Sequence, residues 1–282
     1  MAPCDRYSSG PSNASIKRLI VFRFHKAPLV CRSRVALLRK LNPGVPVYGL
    51  FGGRRRPAGA AVKRVIGLDG LYSSRESSLW NWQHGDLVLA EWYRDVGSRI
   101  PFDVAHVIEW DLLLLEPLES LYASVPQGAV GLTALTPISE LEQEWTWLRR
   151  EENRREWEAL LARARDEWGY DEAPYGCLAP GPCFPKSFLE RYADSDPPAL
   201  CNDELRLPLF AQILGFPLVD TRLRGRWRGE REHPFFHFRN WDIELSAIQA
   251  ELAKPDGWRA FHPVRARLDP ETVLRGRDQV SA

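Results

Sequence analysis

Apolar residues follow two rhythms along this chain, continuous short runs and helical spacing, and the two alternate. Ile16 to Phe24 is mainly apolar and reads as a buried strand. Val30, Arg34, Leu37, Leu38 and Leu41 then recur at helical spacing until Asn42-Pro43-Gly44, and Val45 to Phe51 reads as a second strand ended by Gly52-Gly53. Strand, helix and strand in so short a stretch make a βαβ unit, whose crossover requires parallel strands covered by helices. The expected fold class is α/β, with a mixed, mainly parallel central sheet and helices on both faces.

The alternation continues downstream. Ser78 can cap a helix bearing Leu79, Trp82, Leu89 and Tyr93, and Phe102 to Ile108 reads as a buried strand leading into Glu109-Trp110-Asp111. Ala129 to Leu135 supplies another strand, and Trp157, Leu160, Leu161, Ala164 and Trp168 mark one face of a charged helix. Gly176 to Pro185 reads as a Gly/Pro-rich turn system and Lys186 to Ala193 as a short helix. A further helix, running from about Pro208 to Leu214, places Asp203 and Glu204 at its entrance. Asn240 can cap a helix bearing Trp241, Leu245, Ile248 and Leu252, and Trp258 to Val264 is extended again. With no repeat or linker in view, the expectation is a disordered polar leader over residues 1–15, one domain over 16–264 and a fraying tail over 265–282.

Charge and cysteine usage narrow the function. Lys and Arg number 38 against 37 for Asp and Glu, so no broad positive field exists to hold nucleic acid or an anionic membrane, and a small or neutral substrate is favoured. Five scattered cysteines lack paired zinc-type spacing and suit a reduced compartment. Met1 to Ser15 holds no apolar run that could serve as a secretory signal. The apolar stretch between Asp111 and Glu116 is far shorter than the roughly 20 residues that span a bilayer, so no transmembrane segment and a cytoplasmic setting are expected. Eleven tryptophans, mostly clustered at 80–92, 145–168 and 227–258, serve a core or a sugar face equally well.

The strongest chemical signal is Glu109-Trp110-Asp111, two carboxylates one residue apart directly after an apolar strand. In a regular strand both point to one side. Semi-buried carboxylates repel unless they share a cation, and Mg²⁺ or Mn²⁺ held by one or two carboxylates and a substrate's phosphates would resolve the conflict. The same residues would equally end a strand and cap a turn. Arg54-Arg55-Arg56, a basic turn after the second strand, is either a diphosphate contact or a solvated patch.

In element order and in this acidic pair the chain resembles the GT-A family of nucleotide-diphospho-sugar transferases. Those enzymes have an N-terminal βαβ nucleotide-binding half, a strand ending in an acidic D-x-D motif, and an acceptor half. Residues 16–111 look like the first half and 112–264 like the second, with Glu109 standing where the family most often has Asp. The resemblance implies a metal held by Glu109, Asp111 and a late histidine, His262 or else His237. It further implies nucleotide contacts from Arg23, His25, Gly52, Gly53 and Asp86. A histidine ligand would favour Mn²⁺ over Mg²⁺.

Asn202-Asp203-Glu204-Leu205 resembles the family's second acidic motif, so Asp203 or Glu204 would take the proton of the acceptor hydroxyl in an inverting transfer. Trp145, Trp147 and the loop from Ala179 to Cys183 would contact the acceptor. The implied activity is transfer of a sugar from a nucleotide-diphosphate donor to a hydroxyl acceptor. Two alternatives stand beside it: nucleotidyl transfer or nucleotide-sugar hydrolysis, and a catalytically inactive carbohydrate- or partner-binding domain.

Overall fold

A computed structural model describes residues 16–53, 59–141, 145–224 and 233–278. The expected leader and the Arg54–Arg56 turn lie outside the described residues. β1 (Arg18–Phe24), α1 (Pro28–Leu41) and β2 (Val47–Phe51) form the expected parallel βαβ unit. α2 (Gly59–Ile66) leads to β3 (Gly70–Ser73), and α3 (Ser78–Gln83) and α4 (Gly85–Asp95) lead to β4 (Val104–Glu109). There follow β5 (Leu113–Leu114), α5 (Leu118–Leu121), β6 (Val130–Pro137), α6 (Thr146–Arg149) and α7 (Glu151–Trp168). The chain continues through β7 (Tyr175–Pro185), α8 (Lys186–Asp194), α9 (Asp203–Ile213), β8 (Leu218–Asp220), α10 (Leu245–Leu252), β9 (Ala260–Phe261) and α11 (Pro270–Asp278).

Seven strands make one sheet in the order β3-β2-β1-β4-β7-β6-β8, and β5 and β9 form a separate antiparallel pair. All neighbouring strands of the large sheet are parallel except β7, which runs against both β4 and β6. The fold is α/β with a mostly parallel central sheet. β1 shows why: Leu19 and Val21 pack into one core with α4, α7, α8 and α9, whereas Ile20, Phe22 and Phe24 pack into another with α1. A strand buried on both faces needs an unbroken apolar run, which is what Leu19 to Phe22 supplies.

Residues 176–185 are not the expected turn system but most of the long strand β7. Proline lacks the ladder donor and sits inside a sheet only at bulges. β7 accordingly pairs with β6 through register shifts, and Gly181 adopts φ +83° with no room for a side chain beside Leu223. These irregularities carry Ala179 and Pro180 out of the sheet and into the cleft described below.

Two helices also begin elsewhere than expected. Ser77, not Ser78, caps α3, accepting from the Trp80 N–H at 3.2 Å, and a separate helix, α4, follows it. α9 begins at Asp203 and carries Pro208 inside it, where a proline leaves the carbonyl four residues earlier without its helical partner. That carbonyl belongs to Glu204, and the buried Cys177 thiol approaches it at 3.5 Å.

Over the described residues 265–278 the tail packs onto the domain, where a fraying end was expected. Leu268, Val273 and Leu274 are buried with Leu37 of α1, Leu113, Leu115 and the α10 residues Ile248 and Leu252 in a third core. Arg34 of α1 donates to the carbonyls of Val264 (2.7 Å) and Ala266 (3.0 Å), and Lys40 pairs with Glu271. The four described cysteines are buried free thiols, and no helix among the described residues is long and apolar enough to cross a membrane.

Candidate functional site

β2 and β3 lie on one side of β1 and β4 on the other, so the strand order reverses between β1 and β4. Open α/β sheets bind ligands beyond the carboxyl ends of the strands at such a switch point, where loops leaving in opposite directions open a crevice. A cleft of about 1200 Å³ occupies that place. Its floor is Arg23, Phe24 and His25 from the end of β1, Gly52 after β2, and Glu109, Trp110 and Asp111 at the end of β4. The walls come from α3 and α4, from α6, from the bulge of β7, from the start of α9 and from the C-terminal segment.

Glu109 and Asp111, expected to share one cation, have different protein partners. β4 ends at Glu109, and the chain turns through Trp110, so the two carboxylates take different partners. Glu109 stands opposite Arg23 in the β1–β4 register and pairs with its guanidinium at 3.1 Å. The same guanidinium reaches Asp203 at 3.5 Å. Burial pushes the Glu109 carboxyl up from its ordinary pKa and Asp203 well above, while Arg23 opposes both shifts. Gly85 makes this arrangement possible, because a Cβ there would stand 1.8 Å from Arg23 Nη2.

Asp111 faces the C-terminal segment instead. β5 begins two residues after Asp111 and pairs with β9, which ends one residue before His262. His262 Nδ1 therefore donates to the His237 carbonyl at 2.8 Å, and His262 Nε2 faces Asp111 Oδ1 at 3.7 Å. Arg265 Nε lies 3.6 Å from the other oxygen. Burial works against ionisation of Asp111, yet its interactions with His262 and Arg265 hold its pKa below the usual carboxylate value.

An imidazole whose Nδ1–H is fixed on a carbonyl offers Nε2 outward, the usual arrangement behind a histidine metal ligand. Asp111 and His262 thus fit a divalent ion that accepts an imidazole, whereas Glu109 is paired with Arg23. Among the described residues no group of three or more His, Cys, Asp or Glu side chains could hold a metal ion, so substrate oxygens and water would have to complete the shell.

Glu204 lies on the α9 wall of the cleft. It accepts from the Ala179 N–H (3.0 Å), Trp147 Nε1 (3.0 Å) and Asn202 Nδ2 (3.3 Å). Burial pushes its pKa up to about 7 despite these three donors. A carboxylate titrating there is matched to proton transfer near neutral pH. Asp203, one residue away, is committed to Arg23, which distinguishes two positions that sequence alone left equivalent.

Of the expected nucleotide contacts, Arg23, His25 and Gly52 line the cleft. Gly53 does not line it; a Cβ there would meet the Phe51 ring and the His25 carbonyl, so its role is close packing. Asp86 is fully buried behind the wall, paired with Arg206 through Nε (2.7 Å) and Nη2 (2.5 Å) and accepting from the Tyr192 hydroxyl. It cannot reach a nucleotide, and its place is structural. Trp145, although buried, lines the cleft together with Trp147 and His237.

Sequence reasoning passed over Gly85 and Arg265, and over Asn81 and Arg224, which line the cleft while donating to the carbonyls of Gly52 and Phe236. Arg265 alone carried a signal, three residues beyond His262. Comparison with known proteins adds no family to this geometry: no protein-family profile matches the sequence, and no curated protein matches it.

Proposed function

We propose that this protein is a metal-dependent glycosyltransferase that moves a sugar from a nucleotide-diphosphate donor to a hydroxyl acceptor, with the GT-A organisation that its element order resembles. The observation that carries the reading is a cleft at the switch point lined by two chemically different groups. One is Asp111 and His262 with Arg265 beside them; the other is Glu204, buried and with its pKa pushed up to about 7.

The nucleoside would lie against the ends of β1 and β2, by Arg23, His25 and Gly52. Its diphosphate would point to Arg265, which lies against Asp111, and to Arg224, which also lines the cleft. Asp111 and His262 would hold Mn²⁺ in preference to Mg²⁺, since imidazole is a poor ligand for the harder ion. When bound, such an ion neutralises the diphosphate as it leaves the anomeric carbon. Glu204 would accept the proton of the attacking hydroxyl, with Trp147, Asn202 and the Ala179 amide holding its carboxylate in place. Arg23 would keep Glu109 and Asp203 compensated, so that neither competes for the proton.

The test is a thermal-shift and calorimetric panel of nucleoside diphosphates with and without Mn²⁺. A ligand at 100 times its Kd adds about 2.7 kcal/mol to native-state stability. Asp111→Ala is expected to abolish the Mn²⁺-dependent part of binding, a loss of tenfold or more in affinity. Unchanged affinity in that variant, or no nucleoside diphosphate bound by the parent, would remove the reading.

One observation favours a second version. Arg265 already lies against Asp111, so the cleft would be charge-compensated without a metal, with Arg265 and Arg224 meeting the diphosphate. Nucleotide binding that is indifferent to Mn²⁺ but lost in Arg265→Ala would select it. Release of free sugar with no transfer to any hydroxyl would mark a nucleotide-sugar hydrolase instead.

A further inference from the structure

On the Glu204 side the cleft carries features that the donor does not explain. Trp82 and Leu79 of α3 are exposed, 62% and 65%, although both are large and apolar. The Trp82 ring lies 5.5 Å from that of Trp147, tilted by 45°, and the Trp147 indole N–H is the one that donates to Glu204. A molecule that reaches Glu204 along this wall meets these two indoles.

Behind Trp147 a side pocket of about 220 Å³ adjoins the cleft, sharing Gln83, Trp147, Glu152, Asn153 and Asn202 with it. Two buried amide atoms in that shared lining have no hydrogen-bond partner: Asn202 Oδ1, an acceptor, and Asn153 Nδ2, a donor. Asn202 is only 4% exposed, and an orphaned polar atom at that depth costs stability unless a ligand or water satisfies it. No Lys or Arg lines the side pocket, while Glu152, Glu156 and the nearby Glu204 would repel an anion.

We infer that this region is an acceptor subsite for a neutral saccharide, a deduction that rests on the transferase reading for the word acceptor but not for the saccharide. A pyranose has an apolar C–H face and a rim of hydroxyls. The face suits the Trp82–Trp147 pair, and the rim supplies both the donor that Asn202 Oδ1 lacks and the acceptor that Asn153 Nδ2 lacks. The side pocket has the scale of one sugar ring, not of a nucleotide. The part of the cleft lined by Arg224 and Arg265 remains for the diphosphate.

The experiment measures tryptophan fluorescence and saturation-transfer NMR on the full chain, without nucleotide or metal. The probes are the methyl glycosides of glucose, galactose and mannose, together with cellobiose, lactose and maltose. At least one is expected to bind saturably, and Trp82→Ala should weaken it about tenfold, the effect of losing a stacked ring. Because Trp82 is exposed, that variant should keep the parent's melting temperature. Trp241→Ala, which removes an exposed ring outside the subsite, should change nothing.

Absence of saturable binding by every saccharide overturns the inference, as does binding that Trp82→Ala leaves intact. Trp82-dependent sedimentation with phosphatidylglycerol vesicles and no saccharide binding would also overturn it, by making the exposed ring a membrane contact. The two readings fail separately. Saccharide binding without any nucleoside-diphosphate binding keeps the subsite and removes the transferase. Mn²⁺-dependent nucleotide binding without saccharide binding removes the subsite alone.

Discussion

Glu204→Gln is expected to lower the turnover number by about 10²–10⁴-fold, the usual contribution of a positioned base, with little change in donor affinity. The parent's rate should rise with pH through about 7, because the base works only when ionised and burial holds its pKa there. The variant should lack that limb. The same substitution has a thermodynamic signature that a spectator residue would not give. In the unfolded chain a glutamate titrates near roughly 4.3, so the folded state favours the protonated form.

Glu204 therefore contributes stability that is complete below that pH and is lost as pH rises through about 7. Relative to the glutamine variant, the parent should lose on the order of 3 kcal/mol across this window. Urea denaturation at pH 5 and pH 8 measures the difference. A constant gap between the two proteins, with an unaltered rate profile, would exclude Glu204 as the base.

Arg206→Met should be the most damaging substitution for stability, at about 3–5 kcal/mol. Asp86 and Arg206 have fully buried side chains, and all five guanidinium N–H groups are used. Two go to Asp86, two to the carbonyls of Leu200 and Cys201, and one to His84 Nδ1, an acceptor because burial and Arg206 push the imidazole down to about 4. Removing the cation leaves an uncompensated carboxylate in the core.

This pair also ties α4 to the first turns of α9, the helix that begins with Asp203 and Glu204. The loss should therefore be accompanied by weaker catalysis in whatever fraction stays folded. Replacing both residues by apolar ones, Asp86→Leu with Arg206→Met, should recover most of the stability, since no buried charge is then left alone. A single variant within 1 kcal/mol of the parent would show that the charge finds another partner.

How much of this was readable beforehand depended on burial. β1, β2 and β4 announced themselves because strands covered on both faces need uninterrupted apolar runs, and α1 because its apolar positions repeat at helical spacing. β3 and β8 are short and only half-buried, so they leave no such run. β7 was masked by glycines and prolines that serve bulges instead of turns, and α11 by the arginines and carboxylates around its few buried residues.

The carboxylates of the cleft were visible as residue types, their partners were not. That Glu109 meets Arg23 follows from the β1–β4 register, and that Asp86 is consumed by Arg206 joins positions 120 residues apart. Neither is a property of any local pattern. Pro208 misled as the prolines of β7 did, since a proline suits a first turn but here lies inside α9, where it leaves the Glu204 carbonyl without a helical partner.

His262 and Arg265 belong to a strap that is clipped onto α1 by Arg34 and onto β5 by a two-residue ladder. Arg265 and His262 of the crevice are thus supplied by a segment that lies outside the large sheet. Occupancy and fastening must then reinforce one another reciprocally. A nucleoside diphosphate held beside these two residues should slow amide exchange at Phe261 and His262, and cutting the chain after Ala266 should loosen nucleotide capture while leaving the sheet intact.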